Sequence, residues 1–305
     1  MNRQRVAIIV PTLNAASLWN RWVEGMRIQT FMPDVVLIVD SASDDGTAEL
    51  ALAEGYRVHR IARMDFNHGG TRQLAVDLLG DIDIAVFLTQ DAILVHKDSI
   101  RNIVASFDTG DVGMAYGRQL PRKSAGHIEA HARLFNYPEQ SRQRTAADIP
   151  ALGVKTVFTS NSFSAYRVAA LKAVGGFPDN VIVSEDMYVA ARMILAGWRV
   201  HYNAEAVVEH SHGYTFLQEF RRYFDIGAFH AREQWVPRRF GTLSGEGLRF
   251  VLSEWRYLGA RRFYLYLSSI VRTAMKLLGF RLGLLESKLP LSFKRAVSMQ
   301  KAYWK

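Results

Sequence analysis

The stretch Phe87-Leu88-Thr89-Gln90-Asp91-Ala92 decides the reading of this chain, because an apolar run from Ile84 to Leu88 reaches Asp91 just past its end. A buried strand delivering one carboxylate at its tip is a way to hold a hard oxygen ligand over a cleft. Two further runs have the same form: Val6-Ala7-Ile8-Ile9-Val10-Pro11-Thr12-Leu13-Asn14 and Val35-Val36-Leu37-Ile38-Val39-Asp40-Ser41. Helical patterns separate them, over Ala16 to Gln29, Thr47 to Glu54 and Gly70 to Leu79, with a short strand at Arg57 to Ile61. Strands alternating with helices predict an α/β chain built on a parallel sheet, whose ligands sit beyond the carboxyl ends of the strands. Asn14, Asp40 and Asp91 all fall at such ends. Past Ser99 the pattern loosens, with a helix around Gly126 to Phe135 and a loop from Tyr137 to Pro150.

With 305 residues, 49% of them hydrophobic, the chain can bury a full core. The sequence contains no cysteine, so any metal must sit on oxygen or imidazole, and a reducing, cytoplasmic compartment is expected. Met1-Asn2-Arg3-Gln4-Arg5 runs into the first strand without the apolar core of a secretory signal. Near the end, the longest uncharged stretch, Phe263 to Val271, is far short of a bilayer span.

Charge is uneven. Residues 231–305 carry 15 Lys and Arg against 4 Asp and Glu, a net +11, while the whole chain has +9. On a helical projection Arg261, Ser268, Arg272, Lys276, Gly279 and Gly283 share one stripe, and Phe263, Leu267, Ile270, Ala274, Leu277 and Leu278 lie away from it. Such a basic amphipathic segment lies in a membrane interface, or packs on the rest of the protein with its basic face in water; both readings are open. No recognition motif supports nucleic acid.

Asp40, Ser41 and the turn after them can hydrogen-bond a nucleoside, though the same residues are ordinary turn and cap chemistry. Asn67-His68-Gly69-Gly70-Thr71-Arg72 opens a helix with paired glycines that let backbone amides approach a ligand, and Arg72 in its first turn can reach a phosphate. Neither a Walker loop nor a dinucleotide fingerprint occurs. Gln90-Asp91 can place one oxygen on Mg²⁺ or Mn²⁺, and His210 and His212, on the same side of an extended segment, can add imidazoles. His127 and His131 have metal-compatible spacing without a third ligand, and we expect them on a surface or acceptor-side face. Ser184-Glu185-Asp186 reads as an N-cap and an acidic first turn before a helix from Met187 to Ala196. Taken alone the triplet reads as an acidic first turn that only stabilises the helix; alongside the other motifs, Asp186 is the candidate general base toward a sugar hydroxyl.

Taken together, Val10-Pro11-Thr12-Leu13-Asn14, Asp40-Ser41-Ala42-Ser43-Asp44-Asp45-Gly46-Thr47, Gly175-Gly176-Phe177, Ser184-Glu185-Asp186 and His210 resemble the family 2 glycosyltransferases of GT-A fold, over roughly residues 5 to 235. Phe66 to Arg72, Thr89-Gln90-Asp91-Ala92, Ser160-Asn161-Ser162-Phe163, His210 to Thr215 and Arg221 to Asp225 are similar to the bacterial rhamnosyltransferases within it. The resemblance implies a Rossmann-like mixed sheet flanked by helices, dTDP-L-rhamnose as donor, a divalent metal, inversion at the sugar, and a lipid-linked or polysaccharide acceptor. It implies Pro11, Thr12, Asn14, Asp40 and Ser41 around the nucleoside, and Asn67, Gly69, Gly70, Arg72 and Gln90 at base and phosphates. Arg222 would meet the diphosphate, Asp91 with His210 or His212 the metal, and Asp186 the acceptor proton. One departure is plain: the family's usual D-x-D is Thr89-Gln90-Asp91 here, without its first carboxylate. The expected division is a catalytic domain over 1–230, with a donor half to residue 100, and a basic helical extension over 231–305 at the inner face of the membrane. A hexosyltransferase using another dTDP- or UDP-sugar, and a non-catalytic sugar-nucleotide-binding protein, are the alternatives.

Overall fold

A computed structural model describes residues 3–241 and 245–305. Among these residues the strands form one nine-stranded sheet. They are β1 (Val6–Thr12), β2 (Val35–Asp40), β3 (Arg57–Arg60), β4 (Ile84–Leu88), β5 (Ile93–Leu94), β6 (Val112–Leu120), β7 (Arg142–Arg144), β8 (Phe163–Arg167) and β9 (Arg199–Glu209). Their spatial order is β3-β2-β1-β4-β8-β6-β9-β5, with β7 added beside β9. The first half, β3-β2-β1-β4, is parallel throughout. There β1 and β4 are buried on both faces, which is why they carry almost unbroken runs of Val, Ile, Ala and Phe. From β4 onward the sheet turns mixed, since β8 runs antiparallel to both β4 and β6 while β9 returns parallel to β6.

Helices cover both faces and produce two apolar clusters, one around Phe87, Tyr166 and Phe177, the other around Trp22, Ile38 and Phe163. The expected strand Ile84 to Leu88 is observed with the same bounds, and the first helices start and stop within two residues of expectation. The segment expected as a loop from Tyr137 to Pro150 contains β7, an edge strand of three residues that pairs with Val200 to Tyr202 of β9. Three charged or amide side chains, Arg142, Gln143 and Arg144, hide that strand from a pattern reading.

The C-terminal helices pack on helix Phe216–Arg232. Helix Phe216–Arg232 and helix Tyr266–Leu284 run side by side in the same direction, so closely that a Cβ built on Gly279 or Gly283 would lie 2.2 or 2.1 Å from a carbonyl oxygen, of Phe220 or Phe224. The chain then returns to the first of these helices. Asp225 accepts from the Ser298 hydroxyl at 2.6 Å and the Met299 amide at 2.9 Å, and buried Trp304 lies against Arg232 and Lys294.

This packing corrects the expected placement of the basic stripe. Arg272 and Lys276 turn inward to Glu219, at 3.2 and 3.6 Å, alongside the glycines. Leu267 and Leu278, by contrast, are 72% and 57% exposed. Neither a solvated basic face nor a layer of these two cations on lipid describes the helix. His131 is likewise corrected: it is buried, with Nε2 3.0 Å from the Ser253 hydroxyl and Nδ1 3.8 Å from Glu254, while His127 is exposed.

Candidate active site

Strand ends and the turns after them build the cleft. Asp91 follows β4 directly, and His210 and His212 follow β9, two strands whose carboxyl ends come together across β8 and β6. The carboxylate oxygen Oδ2 of Asp91 lies 3.4 Å from His210 Nε2 and 3.5 Å from His212 Nε2, and the ligand atoms of all three residues fall within 4.8 Å of one another. Burial lowers both imidazoles, His212 to about 4, so both are neutral near pH 7. Burial acts to raise the Asp91 carboxyl, but its neighbours His210, His212 and Thr89 hold it well below the usual carboxylate range. An ionised carboxylate and two neutral imidazoles are the protonation states that a divalent cation requires. The set fits a metal, and both histidines, not one of the pair, reach Asp91.

Behind the first ligand stands a side chain that no motif revealed. The Nδ1 atom of His210 is 2.8 Å from Oε1 of Gln119, a buried β6 residue, and the same oxygen accepts from Arg133 at 2.6 Å. An amide oxygen already facing a guanidinium can only accept, so Nδ1 of His210 carries the proton and Nε2 keeps its lone pair toward Asp91. Arg122 donates to the main-chain oxygen of Asp91 at 2.9 Å.

The second centre is the start of helix Glu185–Leu195. Ser184 is the N-cap residue, as expected, but with φ 64 and no side-chain capping hydrogen bond, and Glu185 and Asp186 both lie in the first turn. Asp186 accepts from the Asn161 amide at 3.0 Å and from the Met187 amide at 2.7 Å. Burial and the adjacent Glu185 charge nevertheless push it up to about 7. Burial also acts to raise Glu185, but Arg72 at 3.0 Å, His68 and the hydrogen bond from Asn161 together outweigh it and lower the group. Asn161 ties the pair together: its Nδ2 donates to Glu185 at 2.8 Å, and its Oδ1 accepts from Ser164 and Tyr166. The two adjacent carboxylates are thus driven to opposite proton affinities.

At the ends of β1 and β2, Asp40 is buried, accepting from Thr12 at 3.0 Å and from Ser43 through its hydroxyl and its amide. The Ser41 hydroxyl beside it is buried without a hydrogen-bond partner among the described residues. Pro11 is the penultimate residue of β1, before Thr12. Asn14 and Ala42 adopt positive φ, and with Ser184 they are the described non-glycine residues that do. All three border the cleft, where strain of about 1 kcal/mol or more each is held by surrounding contacts.

Several expected ligands turn out to hold the site's frame. Asn67 accepts from the amides of Gly69 and Gly70 at 3.0 and 2.8 Å, capping helix His68–Leu79. Gly69 lies against Pro178, where a Cβ would sit 1.7 Å from a carbonyl oxygen. Arg72 is buried on Glu185 and on the His68 carbonyl. Gln90 exchanges two hydrogen bonds with the main chain of Leu13, at 2.7 and 3.0 Å, joining the ends of β4 and β1. Arg222 instead is exposed, stacked over Tyr214, within electrostatic range of Asp186 and His212.

Residues 3–224 match the family described as glycosyltransferase like family 2. The chain is 46% identical over 301 residues to the O-antigen chain rhamnosyltransferase RfbN of Salmonella typhimurium, covering 98% of this chain and 96% of that protein. It is 45% identical over 298 residues to the O-antigen chain rhamnosyltransferase WbaN of Salmonella anatum, covering 97% and 95%. Among solved structures it is similar to the mannosyltransferase PcManGT from Pyrobaculum calidifontis in complex with GDP-Man and Mn²⁺, with a TM-score of 0.58 at 20% identity over 100% of this chain and 86% of that one. A further likeness is to S. aureus TarS in complex with UDP-GlcNAc, with a TM-score of 0.53 at 14% identity over 93% of this chain and 92% of the other.

Proposed function

This chain belongs to glycosyltransferase family 2, and on that premise we propose that it is an inverting rhamnosyltransferase moving L-rhamnose from dTDP-L-rhamnose to a lipid-linked or polysaccharide acceptor. The observation that carries the reading is Asp186, a carboxylate raised toward neutrality in the cleft of a chain 46% identical to a rhamnosyltransferase along nearly its whole length.

Asp186 takes the proton of the acceptor hydroxyl as its oxygen attacks the anomeric carbon of the sugar, and the nucleoside diphosphate departs from the opposite face. With a proton affinity near neutrality, Asp186 is half ionised near pH 7 and more so by pH 8, yet basic enough to assist that attack. Asn161 and the Met187 amide fix its orientation. Arg222 offsets charge growing on the diphosphate. Asp91, His210 and His212 would hold Mg²⁺ or Mn²⁺, which when bound neutralises the leaving phosphates. Pro11, Thr12, Asn14, Asp40 and Ser41 form the wall for the nucleoside, and Asn67, Gly69, Gly70, Arg72 and Gln90 stabilise that wall.

Residues 1–230 are assigned to catalysis and 231–305 to an extension that brings the enzyme to a membrane carrying its acceptor, at the cytoplasmic face. Calorimetric titration with dTDP, UDP and GDP, each with Mn²⁺ and with chelator, tests the donor. Tight dTDP binding that falls on chelation is expected. Preference for UDP or GDP would replace the donor, and binding of none would overturn the nucleotide site.

A further inference from the structure

Helix Tyr266–Leu284 presents its apolar side to solvent and its small and basic side to the protein. Leu267, Ile270 and Leu278 are 72%, 50% and 57% exposed, and the preceding turn adds Phe263 at 71% and Tyr264 at 64%. Positions 267, 270, 274, 278, 281 and 285 recur every three or four residues, so they form one stripe, about 27 Å long at the rise of a helix. The stripe carries Arg281 among its apolar members Leu267, Ile270, Ala274, Leu278 and Leu285, and apolar side chains left in water beside a cation are unfavourable and mark a contact surface. Among the described residues no helix is long and apolar enough to cross a membrane, so the ridge can lie on a bilayer but not span it.

Charge selects the occupant. From Trp255 to Lys305 there are 11 Lys and Arg and a single acidic residue, Glu286. Glu286 is buried and paired with Arg232 and Lys294, whereas Arg256, Arg261, Arg281 and Lys288 are exposed. A second copy meeting this face across a twofold axis would set these cations against their own images. Anionic headgroups would complement them.

We propose that this face, the outer stripe of helix Tyr266–Leu284 with Phe263 and Tyr264, is a docking surface for a bilayer containing anionic phospholipid. The helix lies in the plane of the interface, its leucines among the upper acyl chains and Arg261 and Arg281 among the headgroups. It deepens the reading of a membrane-borne acceptor and rests on it for its purpose, but lipid contact can be measured without donor or acceptor.

The test is co-sedimentation of the full chain with vesicles of phosphatidylcholine containing roughly 30% phosphatidylglycerol, and with phosphatidylcholine alone. The expected result is binding to the anionic vesicles that weakens with salt and falls roughly tenfold or more in the double variant Leu267→Glu, Leu278→Glu. Both positions are exposed, so the variant should fold, and near-native circular dichroism and unchanged transfer to a lipid-free acceptor would verify it. Absence of wild-type binding, or equal binding by the variant, would overturn the surface. A wild-type dimer that the double variant converts to monomer, without vesicle binding, would assign the face to a second copy. Vesicle binding with no transfer activity would sink the enzymatic reading and leave the surface standing.

Discussion

The side-chain oxygen of Gln119 sits 2.8 Å from Nδ1 of His210 and fixes which nitrogen of that ring faces Asp91. Replacing Gln119 by Leu removes the acceptor while keeping bulk, and His210 is then free to turn or to change tautomer. Metal affinity should fall about 10- to 100-fold, as for the loss of other outer partners of metal-binding histidines. A Mn²⁺ titration followed by electron paramagnetic resonance reads this directly, and unchanged affinity would remove Gln119 from the site.

Asp186 must be ionised to act as base, and burial with the Glu185 charge raises its proton affinity to about 7. Transfer should therefore climb as pH rises through 7 and level off above it. Glu185→Gln removes the repelling charge, so the acid limb of the profile should move to lower pH. A limb that stays in place would show that another group sets it.

Asp186→Asn should abolish transfer while sparing dTDP binding, and it should also stabilise the fold at alkaline pH. The sign follows from linkage: a carboxyl with a raised folded value favours the folded state at low pH, and that contribution is lost as pH rises toward about 7. At pH 8 the wild type keeps a charge in an unfavourable place. The neutral amide relieves it, so thermal unfolding of the variant should occur at higher temperature at pH 8, with a smaller difference at pH 5.

Arg72 and Glu185 form a buried pair at 3.0 Å. Arg72→Ala leaves an uncompensated carboxylate and should cost about 3–5 kcal/mol in chemical denaturation. Loss of dTDP binding without loss of stability would give Arg72 back a direct role at the phosphates.

Gly283→Ala places a methyl group 2.1 Å from the Phe224 carbonyl oxygen, so the two C-terminal helices must separate. The expected cost is about 1–3 kcal/mol, measured by thermal unfolding. A surface substitution such as Leu278→Glu on the same helix should change stability by less than about 0.5 kcal/mol.

Much of the catalytic cleft was legible in the sequence because strands end where their apolar runs end. Asp40, Asp91 and Asp186 stand at element ends that a short pattern reports, and the acidic pair before Met187 announced a helix start. The histidines after β9 could be placed near one another by their spacing. Local periodicity and turn chemistry therefore determined the element types, the parallel first half of the sheet and the chemical groups offered at its edge.

What joins those groups came only from the tertiary structure. Gln119 and His210 are far apart in the chain, as are Asn161 and Glu185, and Arg72 and Gln90 have good reason in sequence to meet phosphate, yet each is occupied by a partner brought in by packing. The C-terminal helix makes the point physically. Periodicity assigned its glycines and cations to one face and its leucines to the other, but which face is covered depends on the surface that meets it. Here the close approach of helix Phe216–Arg232 admits only glycine at the contact, and Glu219 draws Arg272 and Lys276 inward, leaving the leucines outside.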